Sequence, residues 1–316
     1  FQEKLIDMNE TDFDVLFNEI LQSRLIKSKM TFRSILISIY IAFISRPHKE
    51  QLYMNLFIRI SQLPENHFKP NDYLINFTNP FFILNLYNAG IIPLEAIHEQ
   101  ATRCPELVTY FFPELYTSFF HSSIFRAQNK NTPFDLSKRI ANQIRLVQIE
   151  SLIDINAAET FLDKRPDWLF RTFTEYRALG HNPCILTQAI FNDNVHEMQD
   201  IMAKNNIPPN ALIPRTIFET RRMPKTKGKP SLIEYAAYFG SIQCFKFLFQ
   251  KCEVLHLPIL VNYAVCGGNY EIIHLCESAL SDHFTEETLA CSIQFFQREI
   301  TEYLLDNFPI KRSIFS

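Results

Sequence analysis

A short internal period constrains this chain more than any other feature. Tyr235-Ala236-Ala237-Tyr238-Phe239-Gly240-Ser241-Ile242 is followed 28 residues later by Tyr263-Ala264-Val265-Cys266-Gly267-Gly268-Asn269-Tyr270, and a further 28 residues lead to Cys291-Ser292-Ile293-Gln294-Phe295-Phe296. Each unit continues into an apolar run in register: Phe245, Leu248 and Phe249, then Ile272, Ile273 and Leu275, then Ile300, Tyr303 and Leu304. Upstream, Leu186-Thr187-Gln188-Ala189-Ile190 opens a comparable unit, with Met198, Ile201 and Met202 on its second helix. Ala189 and Ala236 are 47 residues apart, one period plus an insertion of 19. The pattern describes a pair of short antiparallel helices per unit. A small residue sits where the first helix packs closely, a turn reverses the chain, and an apolar second helix completes the layer. One such pair cannot bury its apolar faces alone, so neighbouring pairs must stack.

The first half reads as successive helices rather than repeats. Thr11 or Asp12 can cap a helix running to about Lys27, with Phe13, Leu16, Phe17, Ile20 and Leu21 at helical spacing. Further helices are expected over about 31–45, ending before Pro47, and 49–63, ending before Pro64. Others are expected from Pro80 to Gly90, from Pro93, from Pro105 and Pro113, over 138–154, and over 167–179 with Gly180 as C-cap. No segment has the alternation of a half-buried strand. The 13-residue stretch Phe32–Ile44 is too short to span a membrane, which takes about 20 apolar residues.

Composition narrows the function classes. With only six Gly in 316 residues, there is little material for phosphate-cradling loops or tight hairpins. Neither GxxxxGK[ST] nor GxGxxG nor GxSxG occurs. His98-Glu99 and His196-Glu197 begin like a zinc-helix motif, but Thr102 and Asp200 stand where the second His is needed. The pairs His274 with Cys276 and Cys252 with His256 have no surrounding ligand cluster and read as packing residues. The seven scattered Cys, none in CxxC spacing, read as reduced and intracellular. No catalytic, metal or cofactor-binding residue is therefore expected, and the chain reads as a non-enzyme.

One charged feature stands out. Arg221-Arg222-Met223-Pro224-Lys225-Thr226-Lys227-Gly228-Lys229-Pro230 carries five cations and no acid, within a chain of net charge −3. It lies in the insertion, so Arg221, Arg222, Lys225, Lys227 and Lys229 are expected on a mobile loop projecting from the edge of the array. A solvated loop is the plain reading. An acidic partner, nuclear import or a phosphate contact are the functional ones. No aromatic residue interleaves with the charges to stack bases.

Leu232 to Ser241 resembles the first helix and turn of an ankyrin repeat, T-P-L-H-x-A-A-x-x-G-[HN], with Pro230-Ser231 near the T-P opening. Gly268-Asn269-Tyr270-Glu271-Ile272-Ile273 resembles the G-[HN]-x-x-[VI]-[VI] that leads into the second helix. The shortened period implies abbreviated connecting fingers. With Leu84 to Ile92 and Tyr110 to Leu115, the chain is similar to the divergent ankyrin families of parasitic, trichomonad-type protists, which carry a helical region ahead of the repeats. Asp193 and Phe296 depart from the pattern, standing where Gly is usual. The resemblance implies an all-α fold: a helical region over 1–180, continuous with an ankyrin-type solenoid over 183–310. Its units are about 183–210, 231–257, 258–284 and 285–310, with the basic insertion at about 211–230. It implies a protein-binding scaffold without cofactor, cytoplasmic, that binds another protein. The alternatives are a nuclear or nucleic-acid adaptor using 221–229, and an enzyme with a site among the N-terminal helices.

Overall fold

The computed structural model describes residues 2–101, 103–115, 139–140, 142–144, 146–147, 166–224, 228–252, 256–279 and 284–307. The expected helix over 138–154 lies largely outside them, although Ile140, Ile144 and Val147 are described and buried. Among the described residues the chain is all-helical, with one isolated antiparallel bridge, Leu212 to Ser231. None of these helices is long and apolar enough to cross a membrane.

The N-terminal helices are α1 (Gln2–Asp7), α2 (Phe13–Gln22), α3 (Lys29–Ser45), α4 (Glu50–Ser61), α5 (Pro70–Asn76), α6 (Pro80–Asn88), α7 (Leu94–Ala101), α8 (Pro105–Tyr110) and α9 (Pro166–Arg177). The helix expected to reach Lys27 stops at Gln22. Ser23 turns extended, and its hydroxyl caps the 3-10 turn Arg24–Lys27 by accepting from the Leu25 N–H. The seven-residue α5 is too short to show apolar periodicity, but Pro70 at its first turn and Asp72 accepting from the Lys69 N–H are start signals legible in hindsight. An aromatic cluster binds these helices together: Phe57 meets Tyr73, Phe77 and Phe82 edge-on, and Tyr40 packs on Phe77 and Phe82. α9 is tied to α8 by the Tyr110 hydroxyl, which donates to the Arg177 carbonyl at 3.0 Å, and to the stretch after α8 by a pairing of Arg177 with Glu114.

Four helix pairs follow: α10 (Ile185–Phe191) with α11 (Val195–Lys204), α12 (Leu232–Tyr238) with α13 (Ile242–Lys251), α14 (Leu257–Gly267) with α15 (Tyr270–Ala279), and α16 (Glu286–Gln294) with α17 (Arg298–Asn307). First helices α10, α12, α14 and α16 pack in succession, and second helices α11, α13 and α15 form a parallel layer. The turn inside each pair holds one left-handed residue: Asp193, Gly240, Gly268 and Phe296, with φ of 52°, 62°, 73° and 54°. Asp193 and Phe296 thus occupy the conformation of the glycines they replace. Three of the turns close with the same bond to the small residue of the first helix, Asn194 to Ala189, Ser241 to Ala236 and Gln297 to Ser292, at 2.8–2.9 Å. Those small residues are fully buried, as is Ala264.

Side chains stitch one turn to the next. Asp193 accepts from the Gln243 and Cys244 N–H groups, Asn269 donates to the Gly240 carbonyl, and Gln297 donates to the Cys266 carbonyl. Gly267 and Gly268 serve different ends. A Cβ on Gly267 would stand 2.4 Å from the Ala237 carbonyl oxygen, so α14 can approach α12 only without one, whereas Gly268 supplies the positive φ.

Two changes test this register by chemical denaturation. Ala264→Asp places an unpaired carboxylate between first helices and is expected to cost several kcal/mol, of the order of 3–5. Gly267→Ala is expected to cost about 1–3 kcal/mol through overpacking. Gly228→Ala, with open space around its Cβ, should stay within about 0.5 kcal/mol of the parent.

Candidate functional site

The candidate site forms where the α3–α4 corner docks on the row of repeat turns. Pro47 ends α3, and the next residues cross to α4 as a short corner. Arg46 reaches the last turn, donating to Gln297 Oε1 at 2.7 Å and to the Phe296 carbonyl at 3.0 Å. The His48 ring stacks on Phe191 and meets Phe239 edge-on, at the turns of the first two pairs. Glu50, in the first turn of α4, points between the same two pairs and meets Arg221.

Arg221 is the centre of this contact. Its Nη2 donates to Glu50 Oε2 at 2.6 Å, and Glu219 lies 3.9 Å from Nη1. The guanidinium lies 5.2 Å from the ring centroids of both Phe191 and Phe239. The Arg221 side chain is only 5% exposed. Arg221 was expected on a solvated loop as a partner contact, and the structure corrects this. Two carboxylates and two aromatic faces hold it inside the protein, where no partner reaches it.

The neighbouring stretch of the insertion is anchored too. The Phe218 ring is buried against Phe173 and Tyr176, and Thr220 Oγ1 donates to the Gly180 carbonyl. The Thr220 carbonyl accepts from Asn79 Nδ2, and the Ile217 N–H donates to Gln143 Oε1. The insertion therefore leaves the array at the Leu212–Ser231 bridge and folds back as a wedge against the N-terminal helices. Of the other basic residues, Arg222 is exposed, with its guanidinium 2.7 and 2.8 Å from an accepting Gln294 amide oxygen. Lys229 is half-buried, and Lys225 and Lys227 lie outside the described residues.

Burial and shared charge set the protonation. Two carboxylates share one guanidinium, and burial works against the charge on both. Burial pushes the Glu50 carboxyl up to about 8, against the pull of Arg221. Burial also raises Glu219, but Glu219 accepts from the Asn182 N–H, the Tyr235 hydroxyl and the Arg221 N–H, all of which favour its anion. Burial works against the charge of Arg221, and the two carboxylates outweigh it. Burial, with Arg221 close by, holds the imidazole of His181 down at about 4, and burial lowers His48 as well. Both rings are neutral at neutral pH. The site is thus an internal ionic clamp with its two histidines uncharged. Among the described residues no group of three or more His, Cys, Asp or Glu is placed to hold a metal ion.

Sequence reasoning found Arg221 and missed its partners. Glu50 reads as an ordinary acid in a helix first turn, and nothing in local spacing ties it to a residue 171 positions away. Comparison with known proteins finds no match: no family model, no curated protein and no solved structure is detectably similar to the chain.

The clamp has a signed pH dependence. Glu50 binds its proton more tightly folded than unfolded, so its contribution lowers stability as pH rises from 4.5 to 8. His181 binds its proton less tightly when folded, so its contribution raises stability as pH rises from about 4 to 6.5. Between 6.5 and 8 the Glu50 contribution acts alone of the two, and melting temperature should fall across that window. In Glu50→Gln that fall should flatten with the fold retained. Arg221→Met, which leaves two buried acids without their cation, should cost about 3–5 kcal/mol at pH 7.

Proposed function

We propose that the four helix pairs are an ankyrin-type repeat array, and that the chain is a non-enzymatic scaffold binding another protein along the edge where its first helices begin. The ankyrin-type reading is supported by the Leu232 to Ser241 and Gly268 to Ile273 motifs together with the left-handed turns at residues 240, 268 and 296, which keep the 28-residue period. A stack of helix pairs offers a partner its first helices and connecting fingers. Leu232 to Phe239 are nearly all buried, as are Leu260 to Cys266, so most of the first-helix surface of these two pairs is already covered. The turn end is occupied by the α3–α4 corner.

The observation that carries the docking edge is a set of exposed apolar side chains at the opposite end. Ile185 opens α10 and is 55% exposed, Leu212 bridges to the N-cap of α12 and is 52% exposed, and Ile259 in the first turn of α14 is 38% exposed. By repeat register these three residues belong to consecutive first-helix starts. Spaced apolar anchors of this kind suit a protein partner, because a few desolvated side chains carry most interface energy.

The test is affinity capture from native cells with the triple variant Ile185→Asp, Leu212→Asp, Ile259→Asp. The control is Leu305→Asp, an equally polar change at an exposed residue of α17. A partner held by the parent and the control should be lost by about ten-fold or more in the triple variant, with unchanged circular dichroism and melting. Equal capture by parent and triple variant would reject the edge.

A further inference from the structure

Arg46 and the last turn also wall a groove of about 680 Å³ that runs between α1 and the last two helix pairs. Three apolar side chains from different elements line it: Tyr270 at the start of α15, Ile293 in α16 and Phe296 in the last turn. Each of them is 37–46% exposed. Large apolar groups gathered in one groove and rimmed by polar ones mark an interaction site, whereas the same groups scattered singly would need no explanation.

The rim is acidic. Glu3, Asp7, Glu299 and Glu302 line the groove against Arg46 and Arg298. Lys49 stands nearby, bonded to the Asp7 and Met8 carbonyls, and Lys4 is spent on Glu19. Four carboxylates therefore face three cations when Lys49 is counted. The cations are also unevenly used. Arg298 lies between Glu3 and Glu302, at 3.5 and 3.1 Å, and Arg46 donates to the last turn. Glu299 accepts from the neutral Tyr270 hydroxyl at 2.6 Å. Asp7 is exposed and, among the described residues, has no cation within ion-pair distance, feeling Arg46, Lys49 and Arg298 only from farther off. Two carboxylates, on α1 and α17, are thus left without a cation in contact. They attract a positive group and repel phosphate-bearing ligands. The exposed rings of Tyr270 and Phe296 offer such a group a face as well. We infer that this groove receives an extended segment of another protein in which a Lys or Arg stands beside apolar side chains. The cation meets Asp7 or Glu299, and the apolar groups cover Tyr270, Ile293 and Phe296. Anchors spread over three elements suit a peptide better than a lone amine. This adds a second surface to the protein-binding reading and shares no residue with the docking edge.

The experiment is isothermal titration of the full chain with the blocked peptide acetyl-Leu-Lys-Phe-Arg-Leu-amide. One comparison peptide carries Glu in place of Lys and Arg, and another carries Ser in place of Leu and Phe. Saturable one-site binding of the first is expected, with both comparison peptides weaker by about ten-fold or more. The double variant Asp7→Asn, Glu299→Gln removes two exposed charges and should weaken the first peptide about ten-fold while melting as the parent does. Ile293→Ser should weaken it to a similar extent, about ten-fold. Glu10→Gln, an exposed acid outside the groove, should leave binding unchanged, and so should the folded triple variant of the docking edge. The inference is overturned if the first peptide gives no saturable binding, or if either comparison peptide binds as well. It is overturned too if the double variant binds as the parent does, or if the folded docking-edge variant loses the peptide.

Discussion

A guanidinium held between two carboxylates and two aromatic rings fixes the relation between the halves of this molecule. Arg221 takes Glu50 from the N-terminal helices and Glu219 from its own insertion, and its flat faces lie against Phe191 and Phe239 at the ends of two successive first helices. An ion pair buried this way adds little net stability over an apolar substitute, but it penalises every arrangement in which one member is left alone. That asymmetry makes it a device for register. The α3–α4 corner brings its Glu50 carboxyl to the guanidinium only when seated on these two turns.

The surrounding contacts extend that seating along the array. Arg46 bonds the last turn, and His48 lies between Phe191 and Phe239. The turns themselves are held in line by side-chain to backbone bonds from Asp193, Asn269 and Gln297. Apolar burial provides the bulk of the cohesion, at roughly 1.5–3 kcal/mol for each fully buried large side chain. It is continuous from Leu5 in α1 to Leu304 in α17. The polar contacts decide which alignment that burial adopts. The turn end is thereby closed, and the middle first helices are covered.

Asp193 and Phe296 show how a departure from a pattern can be read. As letters they weaken the first and last units. As backbone both sit at φ near +53°, in the conformation the pattern assigns to Gly. Asp is a tolerated left-handed residue, and its carboxylate is used on Gln243 and Cys244. Phe296 is neither small nor polar, and its carbonyl is fixed by Arg46. Tertiary contacts hold there a conformation that local preference alone would not choose.

The sequence by itself determined the helices and their period. Apolar spacing, Pro starts, Gly stops and small residues at Ala189, Ala236, Ala264 and Ser292 are local signals, read within one or two helical turns. The end of α2 and the whole of α1 and α5 escaped because a serine break and helices of six and seven residues leave too little periodicity to read. What only the tertiary structure decided is the fate of the charges. Five cations without an acid between them read as a solvated patch, and that reading failed at Arg221 because Glu50 lies 171 residues away. Burial of a charge depends on partners brought together in space, and one-dimensional spacing holds no record of them. The clamp, and with it the closure of the turn end, follows from that long-range pairing.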